Sequence, residues 1–116
     1  MGFIHAADLD RARDFYCGVL GLEFVEMTPF AVVVRSGPIL VRITPSPDHS
    51  PVEGTVLGWT VDDIDATMRQ LIDDGVTPSR FDALEQDERG VWQSPSTARI
   101  AWFADPDGNL LSITQF

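Results

Sequence analysis

Asp8-Leu9-Asp10-Arg11-Ala12-Arg13-Asp14-Phe15-Tyr16-Cys17-Gly18-Val19-Leu20-Gly21-Leu22 is the stretch on which the fold turns. Its apolar residues Ala12, Phe15, Tyr16, Val19 and Leu20 fall at three-and-four spacing, which predicts a helix from Asp8 to Leu20 with one apolar face. Asp8 offers an N-cap oxygen to the free amides of the first turn, and Gly21 stops the helix. The same design returns about 55 residues later. There Ile64, Met68, Leu71 and Ile72 repeat the spacing, with Asp62 or Asp63 as the cap and Gly75 as the stop. Each helix follows a short strand-like run, Phe3 to Ala6 and Thr55 to Val61, and precedes β-rich segments broken by Gly and Pro. The chain reads as β-α-β-β-β written twice. Module 1 covers about 1–46 and module 2 about 55–116, joined by a linker at about 45–54 where Pro45, Pro47, Pro51 and Gly54 interrupt any sheet.

The remaining composition narrows the function. At 116 residues the chain makes one domain, long enough to bury about two-thirds of its unfolded surface. No run approaches the roughly 18 apolar residues of a membrane helix, and no basic segment leads into an apolar run at the start, so the expectation is a cytoplasmic protein with no membrane partner. Eight basic residues against eighteen acidic ones leave a formal charge of −10, which repels phosphate backbones and argues against nucleic acid. Cys17, the single cysteine, forms no internal disulfide and lacks partners for a zinc knuckle. His49 and Glu53 have the i,i+4 spacing of a helical metal pair, but Pro51 between them makes the segment linker.

Strand alternation sorts the side chains into two faces. Ile39, Val41 and Ile43, then Leu57, Trp59 and Val61, Leu111 with Ile113, and Ile4 with Ala6 form sets suited to packing under helices. The opposite faces carry Phe3, His5, Leu40, Arg42, Thr44, Val56, Gly58, Thr60, Leu110, Ser112 and Thr114, an apolar wall with polar points that suits either a ligand cleft or a solvated sheet. Phe30 and Trp92 are large apolar residues on loop or edge segments, fit to stack on a ligand or to bury in an interface. Trp102 and Phe103 are adjacent, so one faces the helices and the other the cleft. His5 has the chemistry of a general base or of a hydrogen-bonding ligand contact, with a structural histidine as the alternative.

Asp8 to Leu22, Gly58-Trp59-Thr60-Val61-Asp62-Asp63-Ile64 and Trp102-Phe103-Ala104-Asp105-Pro106-Asp107-Gly108-Asn109 together resemble the glyoxalase, bleomycin-resistance and extradiol-dioxygenase superfamily, the vicinal oxygen chelate proteins. The resemblance covers nearly the whole chain. It implies an α+β fold in which two βαβββ modules form a curved eight-stranded mixed sheet around a cleft, with helices on the outer face. It also implies a homodimer, in keeping with sheet edges that pairing would cover. Asp105 to Asn109 is itself turn chemistry, its acids suited to capping backbone amides rather than holding a metal. Metal-dependent relatives take His, Gln or Glu ligands from the first and last strands of each module. The matching positions here are Met1, Val56, Arg42 and Ser112, which make no ligand set, so no metal and no cofactor is expected, a divalent ion being the alternative. Arg42 there is suited to gripping a carboxylate or phenolate with its planar fork, or to pairing with a neighbouring acid.

The expected function is metal-independent binding of a small organic molecule, of drug or toxin type, in an aromatic-lined cleft. Phe3, His5, Phe30, Leu40, Arg42, Val56, Thr60, Trp92, Phe103 and Ser112 are the expected ligand contacts. The alternative is an enzyme of lyase or dioxygenase type acting on a small oxygenated metabolite, with His5 as its catalytic residue and Arg42 as electrostatic stabiliser.

Overall fold

The structure, a computed structural model, describes residues 1–48 and 50–116, so the His49 half of the His49–Glu53 pair lies outside the described residues. The chain divides into two units, Met1–Val52 with Asp105–Asn109, and Glu53–Ala104 with Leu110–Phe116.

In the first unit β1 (Gly2–Ala6) leads into α1 (Leu9–Arg13), a π-helical segment over Asp14–Val19, and then β2 (Glu23–Thr28), β3 (Ala31–Ser36) and β4 (Ile39–Pro45). The strands form a four-stranded mixed sheet in the order β1-β4-β3-β2, with β1 parallel to β4 and the other pairs antiparallel. Ala31-Val32-Val33-Val34 suits the inner strand β3, being small or β-branched throughout, and all four are buried. Ile4, Ala6, Val41 and Ile43 are buried with them, while α1 packs on β3 and β4. Ile39, expected in the same set, is 49% exposed at the hairpin end of its strand.

Asp8 caps α1, its Oδ1 accepting from the amides of Asp10 at 3.0 Å and Arg11 at 3.2 Å. The expected single α-helix nevertheless ends at Arg13 and widens into a π-helical turn, in which the Leu20 amide reaches back to the Phe15 carbonyl at 2.9 Å. The wider turn narrows the angle between consecutive side chains. Phe15 and Tyr16 therefore both face inward, edge to face with ring centroids 5.3 Å apart.

Asp105–Asn109 completes this unit. Asp105 Oδ1 accepts from the amides of Asp107 and Asn109, each at 2.9 Å, and its Oδ2 accepts from the Tyr16 hydroxyl at 2.7 Å and from Asn109 Nδ2 at 2.8 Å. Asn109 Nδ2 also donates to the His5 carbonyl at 2.9 Å. These acids cap amides and tie β1 and the helix to the turn.

The second unit repeats the plan with β5 (Thr55–Thr60), α2 (Ile64–Asp73), β6 (Trp92–Gln93), β7 (Arg99–Ala104) and β8 (Leu110–Gln115), in the order β5-β8-β7-β6. Asp63 rather than Asp62 is the cap, its Oδ1 accepting from the Ala66 amide at 3.0 Å. Gly75, at φ 96°, adopts the left-handed conformation that ends the helix. Ile64, Met68 and Leu71 are buried from α2, which packs on β7 and β8 above Ala101, Phe103, Leu111 and Ile113. The architecture is α+β, two helices on two four-stranded mixed sheets that do not close on themselves. Among the described residues no helix is long and apolar enough to cross a membrane.

Candidate functional site

Each unit buries one sheet face under its helix, while the opposite face mixes buried residues such as Val33 with half-buried and exposed ones, and these two faces, the more open of each pair, carry different chemistry. In the first unit the pairing register puts Phe3, Arg42, Val33 and Glu26 in one row across β1, β4, β3 and β2. His5 and Thr44 form the next pair, with His5 Nδ1 and Thr44 Oγ1 3.1 Å apart. Leu40 and Arg35 pair on the other side of Arg42, and Arg35 reaches Glu23 at 3.0 Å. Arg42 is half-buried, and among the described residues no acid lies within ion-pairing distance of its guanidinium. Its alternative reading as a cation paired with a neighbouring acid therefore finds no support within the described residues. Phe3 is exposed beside it. Phe30 lies in the turn between β2 and β3, its amide held by Thr28 Oγ1 at 3.1 Å and the residue 73% exposed.

On the open face of the second unit Gly58, Ser112 and Trp102 form one row, and Thr60, Thr114, Ile100 and Trp92 the next. Val56 falls at a break in register between Thr55 and Leu57. The half-buried rings of Trp92 and Trp102 lie 6.1 Å apart at 36°, and Phe81 meets Trp102 edge-on at 5.3 Å. A side-chain Cβ at Gly58 would come within 2.5 Å of Ser112 Oγ, so this hydroxyl leans over the bare backbone of Gly58. A glycine inside a strand marks a place where something approaches the backbone closely. Here that neighbour is the serine hydroxyl beside an aromatic wall.

The loop bearing Phe81 is held by polar contacts. Gln86 accepts from the Phe81 amide at 2.8 Å and donates to the carbonyls of Ser79 and Gly90 at 2.9 and 2.8 Å. The Ser79 amide is fastened to the Trp102 carbonyl at 2.8 Å, which fixes the loop against β7.

Phe103, expected as a ligand contact, is fully buried instead. It pairs with Leu111, and Ala101 pairs with Ile113, so it shares the helix-covered face with them. Trp102 takes the open face. Phe81 and Trp102 are the aromatic residues that sequence reasoning left out of the contact set. The five-residue turn from Asp105 to Asn109 carries the missing signal, because it sets Ala104 opposite Leu110 and so dictates the face of every residue before it.

The positions matched to metal ligands carry no His, Cys, Asp or Glu. Met1 is exposed, Val56 is an exposed apolar side chain, Arg42 is a cation and Ser112 offers a neutral hydroxyl. Among the described residues no three His, Cys, Asp or Glu side chains converge. Burial raises the Cys17 thiol above its ordinary value, partly countered by Arg13, so it is a poor thiolate.

The family model described as Glyoxalase/Bleomycin resistance protein/Dioxygenase superfamily matches residues 3–113. Among solved structures, a member of that superfamily from Sphaerobacter thermophilus is similar at 25% identity and TM-score 0.74, covering 99% of this chain and 94% of its own. A lactoylglutathione lyase from Agrobacterium tumefaciens is similar at 19% identity and TM-score 0.75, covering 97% and 89%. An antibiotic binding protein from a Streptomyces species is similar at 23% identity and TM-score 0.74, covering 97% and 90%. No curated protein matches the sequence.

Proposed function

This chain belongs to the glyoxalase/bleomycin resistance protein/dioxygenase superfamily, and from that premise we propose that it binds a small, flat organic molecule of drug or toxin type, without a metal, on the open sheet face of its second unit. The fold is common to a lyase and to an antibiotic binding protein, so residues rather than architecture separate the two classes. The observation that carries the reading is the aromatic wall of Trp102, Trp92 and Phe81 beside the Ser112 hydroxyl, which leans over the bare backbone of Gly58. Stacked or edge-on aromatic contacts add to the area a flat ligand buries, and Ser112, Thr60 and Thr114 supply hydroxyls that accept or donate at its rim. The donor types at Met1, Arg42, Val56 and Ser112 support binding without a metal. A cytoplasmic setting and a homodimer go with this reading, supported respectively by the lone thiol and by the open sheet edges.

Titration of tryptophan emission with a panel of small planar aromatic antibiotics tests it. Saturable quenching is expected, weakened about tenfold by Trp102→Ala and unchanged by Trp59→Phe on the covered face. A panel without a saturable member overturns the proposal. So does one equivalent of nickel, zinc, manganese or ferrous iron retained by the protein after desalting.

A further inference from the structure

We propose that Arg42 is a binding site, on the first unit, for an organic carboxylate with an apolar body. All eight basic residues of the chain are arginines, set among eighteen acids. Six of them are engaged: Arg11 with Asp107, Arg13 with Asp10, Asp14 and Met27, Arg35 with Glu23, Arg89 with Glu88, Arg99 with Asp65, and Arg80 with the carbonyls of Asp87 and Glu88. Arg42 and Arg69 have no hydrogen bond or ion pair among the described residues. Arg69 is exposed on α2, where water satisfies it. Arg42 is half-buried between β1 and β3 on a face whose adjoining positions are Phe3, Val33 and Leu40.

A guanidinium without a partner among the described residues has five N–H donors to place, while its rigid fork matches a carboxylate in two parallel bonds. The nearest acid in its own row is Glu26, beyond Val33, and no ion pair joins the two. Glu23 is already taken by Arg35. The net charge of −10 repels anions at long range, but salt screens that field within about 8 Å at physiological strength, so the local cation decides. Phe3, exposed at the register position beside Arg42, offers a surface on which an apolar body lies while the acid meets the fork. A bare inorganic anion would leave that surface unused.

The proposal does not rest on the aromatic face of the second unit, and its test reads a different ligand. Calorimetric titration of the full chain with benzoate, compared with benzamide of the same shape and acetate without the ring, is the experiment. Benzoate is expected to bind saturably, with benzamide and acetate each weaker by about tenfold or more. Arg42→Gln is expected to weaken benzoate about ten- to hundredfold, Arg42→Lys to retain part of the affinity, and Arg69→Gln to change nothing. Benzamide binding as well as benzoate, Arg42→Gln binding as well as the parent, or benzoate without saturable binding overturns it. If Arg42→Gln does not fold, the comparison of benzoate with benzamide on the unaltered chain decides. Failure here leaves the tryptophan titration of the second unit untouched, and success here does not rescue it.

Discussion

The Tyr16 hydroxyl donates a 2.7 Å hydrogen bond to Asp105 Oδ2, joining the π-helical turn to a loop 89 residues further along the chain. Tyr16 is fully buried and Asp105 nearly so, and Asp105 accepts three further bonds from Asp107 and Asn109. The carboxylate thus enters the interior only because every lone pair it turns inward has a donor.

Tyr16→Phe removes one of those donors while keeping the ring that packs on Phe15. Hydrogen bonds to charged groups contribute about 1.5–3 kcal/mol, so the variant is expected to lose that much unfolding free energy in urea. A loss below about 0.5 kcal/mol would mean that water replaces the hydroxyl.

Tyr16 is also the single tyrosine, which makes its titration readable by absorbance. Burial, then the bond to Asp105, then the charges of Asp105 and Asp107 raise its hydroxyl far above the ordinary value of 10.0. A group whose folded value is raised contributes stability that is complete below its unfolded value and declines above it. Stability is therefore expected to fall as pH rises past about 10, with the tyrosinate band appearing only together with unfolding. A tyrosinate band near pH 10 in folded protein would contradict the burial of this hydroxyl.

Arg99 grips Asp65 through two 3.0 Å bonds, from Nη1 to Oδ2 and from Nη2 to Oδ1, fastening α2 to β7. These bonds hold the Asp65 carboxyl below its ordinary value of 3.8. A depressed carboxylate contributes stability above its unfolded value and loses it as pH falls through the folded one. Asp65→Asn is expected to cost about 0.5–1 kcal/mol at pH 7, since the pair is partly exposed, and the difference from the parent should shrink below pH 4. A difference that persists undiminished at pH 2 would assign the effect to packing.

We propose dimerisation as the fate of the open edges. β2 ends its sheet with unpaired backbone groups, and Phe24 and Val25 are exposed on it, a combination that invites another strand or surface. Light scattering is expected to give twice 12.8 kDa, about 26 kDa, and Phe24→Lys to shift the chain toward the monomer. A mass near 12.8 kDa at high concentration would leave these residues as plain surface.

The helices and the strand faces were legible because apolar periodicity reports which side of an element is buried. Ile64, Met68 and Leu71 are buried as their spacing required, and Ile4, Ala6, Val41 and Ile43 alternate inward. Periodicity cannot see which carbonyl an amide reaches, so the widening at Asp14–Val19 was hidden even though adjacent Phe15 and Tyr16 both needed burial. Hairpin register was also hidden, and it put Trp102 rather than Phe103 on the open face. The aromatic wall depends on long-range placement of Phe81 by Gln86, a contact that no local pattern announces.

Gly58 and Ser112 are register partners, and a Cβ at Gly58 would sit 2.5 Å from Ser112 Oγ and 3.3 Å from the Ser112 carbonyl oxygen. The hydroxyl can swing away by a rotamer change, whereas the carbonyl belongs to the ladder and yields little. Gly58→Ala is therefore expected to cost about 1 kcal/mol, most of it from displacing the hydroxyl. In a Ser112→Ala background the same change should cost less than half as much, because the retained Ser112 Cβ position stands at an ordinary 3.8 Å. Equal costs in both backgrounds would put the strain in the backbone contact instead. The same variant bears on binding: a methyl at Gly58 displaces the Ser112 hydroxyl that lies in the row of Trp102, so a flat ligand stacked there should lose affinity by more than the fold's own stability loss explains. A double variant that regains stability yet binds several-fold more weakly than Ser112→Ala alone would separate the two effects, assigning the glycine to the ligand rather than to the sheet.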